Sequence, residues 1–356
     1  EHGKRHPTIG DNVIIGAGAS GLVCALECAR AGRKTLLLEK DKQPARKILA
    51  SGNGRCNLTN AHVGPAFYHA DPKLIERALS IFSFQDCLQY FARLGVLTEE
   101  EGLGRIFPAT GKSTAVAEPL KLAATEAGAE IKTESEVVRI KRGKTFTVFT
   151  KAGDSYQAHR LVLACGSCAY PQIGGSQSGY ELARMMGHSI VTPRPTLSAL
   201  CIKESAVSRL TGIRSQVRLS ASQNGRLLDQ AQGEVLFTSY GLNGPAALNV
   251  SSQVSRALKD GNVSIELNFF PQLQDPQGFL RQRLAIFANR RPKDFFAGML
   301  HESIANLLID FIGIRKNVPI SQQTPHTLNR LAQTLCAWPL TAVGVRPWNE
   351  AMAATG

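Results

Sequence analysis

The 356-residue chain has no apolar run able to span a bilayer. Its longest apolar stretch, Val13 to Ala29, is interrupted by three glycines and by Glu27, which excludes a transmembrane helix there. No secretory leader is visible. The eight cysteines are scattered without disulfide-scaffold spacing. In a chain of this size that predicts a reducing, cytoplasmic setting and no membrane attachment. No Ser-His-Asp arrangement and no H-E-x-x-H occur; His159, His188 and His301 stand isolated, and no metal site is expected. Internal repeats and low-complexity tracts are missing too. Acidic residues are the scarcer charge, 28 against 41 basic ones, giving a net charge of +13. That balance suits a polyanionic partner, most simply a nucleic acid, but also a basic surface with no partner at all.

The first recognisable unit is "DNVIIGAGASGLVCALECARAGRKTLLLEK". It reads as a βαβ unit: a buried strand at 13–15, a helix at 20–31 ended by Gly32, and a strand at 35–39. Residues 72–95 are expected to be helical, with Leu74, Ile75, Ala78, Leu79 and Phe82 at helical spacing. "STAVAEPLKLAATEAGAEI" predicts a helix running into a strand despite Pro119. The rhythm then changes to period two around Phe146 and Val148, with a turn at "KAGDS" and a last apolar strand at 161–164. A β-meander after a first βαβ unit predicts an FAD-type rather than a plain NAD-type Rossmann fold. Short strands and turns follow from about 190, and a helical stretch from about 272 to 335, broken by "NRRPKD".

Gly16, Gly18 and Gly21 form a G-x-G-x-x-G between strand and helix. The first makes the turn, the second admits a pyrophosphate to the backbone, and the third lets helix and strand pack closely. The phosphate is drawn by the free N–H groups at the helix start. Glu39 ends the next strand, where a carboxylate accepts bonds from adenosine ribose hydroxyls. A second such motif for a resident nicotinamide is missing, because "GGSQSG" at 174–179 has the wrong spacing. "TGKST" at 110–114 imitates a P-loop end, but position 106 is Ile where a glycine is required, so Ser113 or Thr114 reads as a helix N-cap.

Cys165 and Cys168 make a C-x-x-C. It reads either as a redox dithiol or as two small residues where a backbone passes a cofactor. Cys24 and Cys28 read as core residues of the first helix. Basic residues cluster at Arg281, Arg283, Arg290, Arg291 and Lys293, and again in "KRGK" at 141–144. Both clusters suit phosphate contacts or a solvated surface.

The stretches "VIIGAGASGL", "ARKILASGNGRCNLTN", "GRIFPATGKS", "LVLACGSCAYPQIGGSQSGYELARMMGH" and "VLFTSYGLNGPAALNVSS" together resemble the BaiN/RdsA family of FAD/NAD(P)-dependent, aminoacetone-oxidase-like flavoproteins. The resemblance runs from about residue 11 to the end. It implies an α/β fold: an FAD-type, glutathione-reductase-like Rossmann domain at 1–190, an inserted β-rich domain at 191–271 and 336–349, and a helical insert at 272–335. Residues 350–356 would begin a return to the FAD domain. Family members continue there into a Gly-Glu strand, a Gly-Gly-Tyr-Asn segment and a closing helix. The opening Glu1 reads as internal to a longer coding sequence, and Gly356 as one residue into that return. Two local departures are Cys165 and Ser167 in "ACGS", where the family has Ala-Thr-Gly-Gly, and Asn243 where it often has Ser before Gly-Pro.

In such a fold the "SGNGRCN" loop, Ser51–Asn57, is expected to pass the ribityl chain and the isoalloxazine ring. Gly54, Arg55, Cys56 and Asn57 are its candidate cofactor contacts, and Cys56 is also a candidate proton donor. Gly16, Gly18, Ala19, Ser20, Gly21, Glu39, Lys40, Lys47, Val137, Ala164, Cys165 and Gly166 complete the candidate FAD site. NADPH or NADH is expected as a transient hydride donor. The family's activities imply reduction of a C=C bond, either uridine to dihydrouridine in large-subunit ribosomal RNA or a small-molecule redox reaction on an enone or amino ketone. For the RNA reading, Arg281, Arg283, Arg290, Arg291 and Lys293 are the expected contacts. A third reading is an inactive fragment with impaired FAD binding.

Overall fold

The computed structural model describes residues 9–68 and 70–355; the readings attached to Glu1 and Gly356 lie outside the described residues. The chain divides after Val191 into two compact units.

The first unit opens with β1 (Ile9–Ile15), α1 (Ala19–Arg30) and β2 (Thr35–Leu38). Then come α2 (Arg46–Gly54), β3 (Thr59–Asn60), α3 (Pro72–Ile81), α4 (Phe84–Arg93), β4 (Thr98–Glu101) and β5 (Arg105–Pro108). The unit ends with α5 (Thr114–Glu126), β6 (Glu130–Lys132), β7 (Val137–Arg142), β8 (Phe146–Thr150), β9 (Ser155–Leu163) and α6 (Ser178–Met185). Its main sheet has the order β6-β2-β1-β9-β8-β7. The strands from β6 to β9 are parallel, and β9-β8-β7 is an antiparallel meander. One core packs α1 and α5 together through Leu22, Leu26, Val116 and Leu120. The other lies between Val13, Ile15 and Leu38 and the meander's Ile140, Val148 and Ala158. This is the FAD-type Rossmann arrangement that the change from helical to period-two patterning predicts.

Two local expectations need correction. The helical stretch 72–95 is two helices, because Ser83 starts a new one. Its Oγ accepts from the Asp86 N–H at 3.2 Å, and Asp86 accepts from the Ser83 N–H at 2.8 Å. Ser113 stands at the start of α5, but its hydroxyl caps no N–H. It donates to the Leu49 carbonyl at 2.9 Å, and its own N–H donates to the Gly54 carbonyl at 2.8 Å. The residue therefore fastens the 49–54 segment to α5.

The second unit contains β10 (Arg194–Thr196), β11 (Leu200–Ile202), β12 (Arg214–Gln223), β13 (Arg226–Thr238), β14 (Gly241–Asn243), α7 (Pro245–Ala257) and β15 (Val263–Asn268). Four helices follow, α8 (Pro276–Phe287), α9 (Pro292–Phe296), α10 (Glu302–Ile312) and α11 (Pro325–Cys336), before β16 (Trp338–Val345) and β17 (Ala353–Thr355). Six strands close a barrel in the order β11-β14-β13-β12-β15-β16. The helices α8–α11 lie in sequence between the neighbouring strands β15 and β16. Phe237, Leu267, Trp338 and α7's Val250 share the barrel's core. Residues 353–355 pair antiparallel with β10. Among the described residues no helix is long and apolar enough to cross a membrane.

Gly21 is where α1 meets the sheet. A Cβ there would overlap the Gly16 carbonyl oxygen and come within 3.3 Å of the Ala164 Cβ. Gly21→Ala should destabilise the fold by about 1–3 kcal/mol or more, because backbone has to move. Gly18→Ala should be nearly silent, since a Cβ at Gly18 meets nothing within 4 Å. Paired thermal melts check the contrast; equal melting temperatures for the two variants would remove it.

Candidate functional site

A cavity of about 330 Å³ opens at the carboxyl ends of β1 and β2. Its floor is the turn from β1 into α1. Gly16 takes φ +103°, and a Cβ on it would lie 2.5 Å from the Ala164 carbonyl oxygen. Only glycine lets the end of β1 lie so close to the segment after β9. Gly18 caps α1 without a side-chain hydrogen bond. The leading N–H groups of α1 are therefore left for a partner in the cavity.

Glu39 closes one wall. Its carboxylate accepts from the Ala17 N–H at 2.7 Å and from the Asp41 N–H at 2.9 Å. These bonds pin the turn to the end of β2. Each carboxylate oxygen retains a lone pair for a further donor, such as a ribose hydroxyl. Three cations stand round the rim. Asp41 holds Lys40 at 3.5 Å and Arg46 at 2.9 Å, and Arg46 also donates to the Gln172 carbonyl at 2.6 Å. Lys47 donates to the Ser167 carbonyl at 3.4 Å, and burial lowers its pKa, with the Cys168 thiol acting the other way. A concave site with bare N–H donors, a cationic rim and a carboxylate fits a dinucleotide. The space in front of Gly18, which a larger residue would fill, is where its diphosphate would lie.

The cavity brings together Gly16, Gly18, Ala19, Ser20, Glu39, Lys40, Lys47, Val137, Ala164, Cys165 and Gly166. Gly21 lies behind it as the packing glycine. Gly54, Arg55, Cys56 and Asn57 do not line it. Arg46 and the segment Ile173, Gly174 and Ser178 do line it, although sequence reasoning misses them. Arg46 is readable as a second cation beside Lys47. The 173–178 segment carries a glycine-rich signal, but its spacing fits no nicotinamide motif and so hides its place at the cavity.

The "SGNGRCN" loop leaves helical geometry at Ser51. Gly52, Asn53, Gly54 and Cys56 all have positive φ. A Cβ on Gly52 would stand 2.7 Å from the Asn57 nitrogen and 3.1 Å from the Phe107 ring. Arg55 lies over that ring at 4.3 Å and ion-pairs with Glu101. Its hydrogen bond keeps the Glu101 carboxyl below the usual range. Cys56 is 5% exposed, in the core that holds Tyr90 and Val96. Burial raises its thiol pKa, opposed by a hydrogen bond with Ser51.

The C-x-x-C thiols face different neighbours. Cys165 Sγ lies 3.5 Å from the Ile15 carbonyl oxygen. Burial first, and then the Glu39 charge, push its pKa up to about 11. Cys168 is buried against Tyr180, whose phenol pKa is raised by burial and by that thiol. Both cysteines are free. With its sulfur against the Ile15 carbonyl and its thiol held protonated, Cys165 is a poor nucleophile, so mild oxidation followed by mass spectrometry should find no Cys165–Cys168 disulfide. A quantitative disulfide would favour the dithiol reading.

The basic cluster of the helical segment is largely engaged. Arg283 donates to the Phe295 carbonyl at 2.9 and 2.7 Å and to the Ala297 carbonyl at 2.7 Å. Arg281 lies 3.7 Å from Asp275, and Lys293 lies 2.7 Å from Glu302. Arg290 lies over the Phe287 ring at 4.0 Å. Arg291 is exposed at the start of α9.

Comparison with known proteins gives the same picture. The family described as "HI0933-like protein Rossmann domain" matches residues 10–347. The chain is 31% identical over 320 residues to a 3-dehydro-bile acid delta(4,6)-reductase of Clostridium scindens, covering 88% of this chain and 78% of that protein. It is 28% identical over 353 residues to a ribosomal RNA dihydrouridine synthase of Haemophilus influenzae, covering 97% of this chain and 85% of that protein. A ribosomal RNA dihydrouridine synthase of Escherichia coli is 28% identical over 350 residues, with 97% and 84% covered. The chain belongs to the HI0933-like Rossmann family of flavoprotein oxidoreductases.

Proposed function

We propose that this chain is an FAD-dependent reductase of a C=C bond conjugated to a carbonyl, and that its substrate is uridine in large-subunit ribosomal RNA. The observation that carries the cofactor reading is the open space before Gly18, walled by the start of α1, by Glu39 and by Lys40, Arg46 and Lys47. The α1 N–H groups and the cations would hold the diphosphate, Glu39 the ribose hydroxyls, and Val137 the adenine side. When bound, FAD supplies the hydride chemistry, replenished by NADPH or NADH. The backbone at Ala164 and Gly166 has no bulky side chain to keep the cofactor at a distance. The three relatives' names, one delta(4,6)-reductase and two dihydrouridine synthases, support the reaction class. The RNA reading rests on the +13 charge. A small-molecule reading is favoured by the 31% identity to the bile-acid enzyme.

The test incubates the protein with FAD and NADPH and offers either unmodified large-subunit ribosomal RNA or a 3-oxo-4,6-unsaturated bile acid. Mass spectrometry reads the gain of two hydrogens. Uridine should be the acceptor. Conversion of the bile acid alone would replace the RNA reading, and a protein that takes up no FAD would end both.

Saturation also needs a proton on the second carbon. Cys56 is 5% exposed and packed in the core that holds Tyr90 and Val96, so we assign it to loop packing. Cys56→Ala should leave hydride uptake from NADPH and transfer to substrate within a factor of a few. A selective loss of about 10²–10⁴-fold in transfer, with flavin reduction intact, would make Cys56 the acid.

A further inference from the structure

We propose that the outer face and tip of the β7–β8 hairpin form an RNA-docking surface, through Arg139, Lys141, Arg142 and Lys144. The proposal rests on the RNA reading above and names a surface that reading does not. Across the meander, Arg139 is paired with Phe149 and Lys141 with Thr147, while Ile140 is paired with Val148. Ile140 and Val148 are buried in the core beneath, so the alternation of a strand turns Arg139, Lys141 and Phe149 outward. Arg142, paired with Phe146, lies on the Ile140 side of the strand, and it and Lys144 are exposed where the hairpin ends, beside the face that carries Arg139 and Lys141.

These four cations differ from those of the helical segment. Among the described residues none of the four side chains has an ion-pair or hydrogen-bond partner, while the side chains of Arg281, Arg283 and Lys293 do. Aromatic rings hold three of them instead. Arg139 lies 4.1 Å from the Phe149 ring centre, Lys141 lies 5.8 Å from it, and Arg142 lies 6.0 Å from the Phe146 ring. A cation over a ring is oriented yet keeps its N–H donors for a second partner. Arg139 and Lys141 stand about 7 Å apart along the strand, a spacing that suits successive phosphates of an extended single strand. Phosphate contacts of this kind add affinity without reading sequence.

The competing role is edge protection. β7 ends the sheet, and charged side chains on an edge strand hinder pairing with other chains. The experiment therefore compares full-length wild type with R139Q/K141Q/R142Q/K144Q. It measures anisotropy of a fluorescent large-subunit ribosomal RNA fragment across a salt series, with light scattering and thermal melts on each protein. The wild type should bind, and the variant should bind at least about tenfold more weakly at low salt. Its salt slope should fall by roughly 0.7 log units for each phosphate that the variant no longer neutralises. R139K/R142K, which keeps charge, should retain most binding and serves if the neutral variant misfolds. R281Q/R291Q should change the slope less than the hairpin variant. Equal affinity and slope in the wild type and a folded hairpin variant would overturn the docking surface and leave the RNA substrate reading standing. Aggregation of the neutral variant, with unchanged RNA binding by K141Q and K144Q singly, would assign the cations to edge protection. A wild type that binds anionic lipid vesicles and no RNA would overturn both the surface and the RNA substrate.

Discussion

The site depends on a backbone contact. At Gly16 and Gly21 the end of β1, the start of α1 and the segment after β9 approach until no side chain fits between them. That contact directs the helix start at the cavity and places Gly18 outward, with nothing in front of it. The Glu39 carboxylate then locks the turn by accepting from the Ala17 and Asp41 N–H groups. One side chain thus ties the β1–α1 turn to the end of β2 and still has acceptor capacity toward the cavity. Packing and ligand recognition meet in the same few atoms.

Charge is distributed with a similar economy of parts. Asp41 holds both Lys40 and Arg46 at the rim, so the cations are positioned before any anion arrives. Lys47 is placed by the Ser167 carbonyl and partly desolvated. Positioned, weakly solvated cations lose less freedom on binding a diphosphate than free ones would. Elsewhere the positive charge divides into residues engaged by carbonyls or carboxylates, such as Arg283 and Lys293, and residues held only by rings, such as Arg139. Formal charge therefore says less about partners than the state of each cation does.

Much of the first unit was legible in the sequence because its signals are local. Three glycines at fixed spacing, an acidic residue at the next strand's end and a change of period define the βαβ unit and the meander. The part that was not legible depends on contacts between distant positions. Ile173, Gly174 and Ser178 join the cavity only through folding of the segment after β9. The family resemblance implies that the "GRCN" loop passes the cofactor; its composition does not foretell that Arg55 is engaged by Glu101 and Phe107 and that Cys56 is buried beside Tyr90. The spacing of Leu74 and Phe82 predicts a helix with an apolar face. It cannot tell that the two are left 63% and 45% exposed. Periodicity reports the face of a helix and is silent on what covers it.

The central claim is that the cavity at the ends of β1 and β2 holds the adenosine diphosphate half of FAD. Titrating the flavin-free protein with FAD and, separately, with FMN, and following flavin fluorescence, tests it most directly. FMN lacks the adenosine that Glu39 and Val137 would hold. The account predicts saturable FAD binding, FMN binding weaker by about two orders of magnitude or more, and competition with FAD by ADP alone. Equal affinity for FAD and FMN, with no competition by ADP, would contradict it.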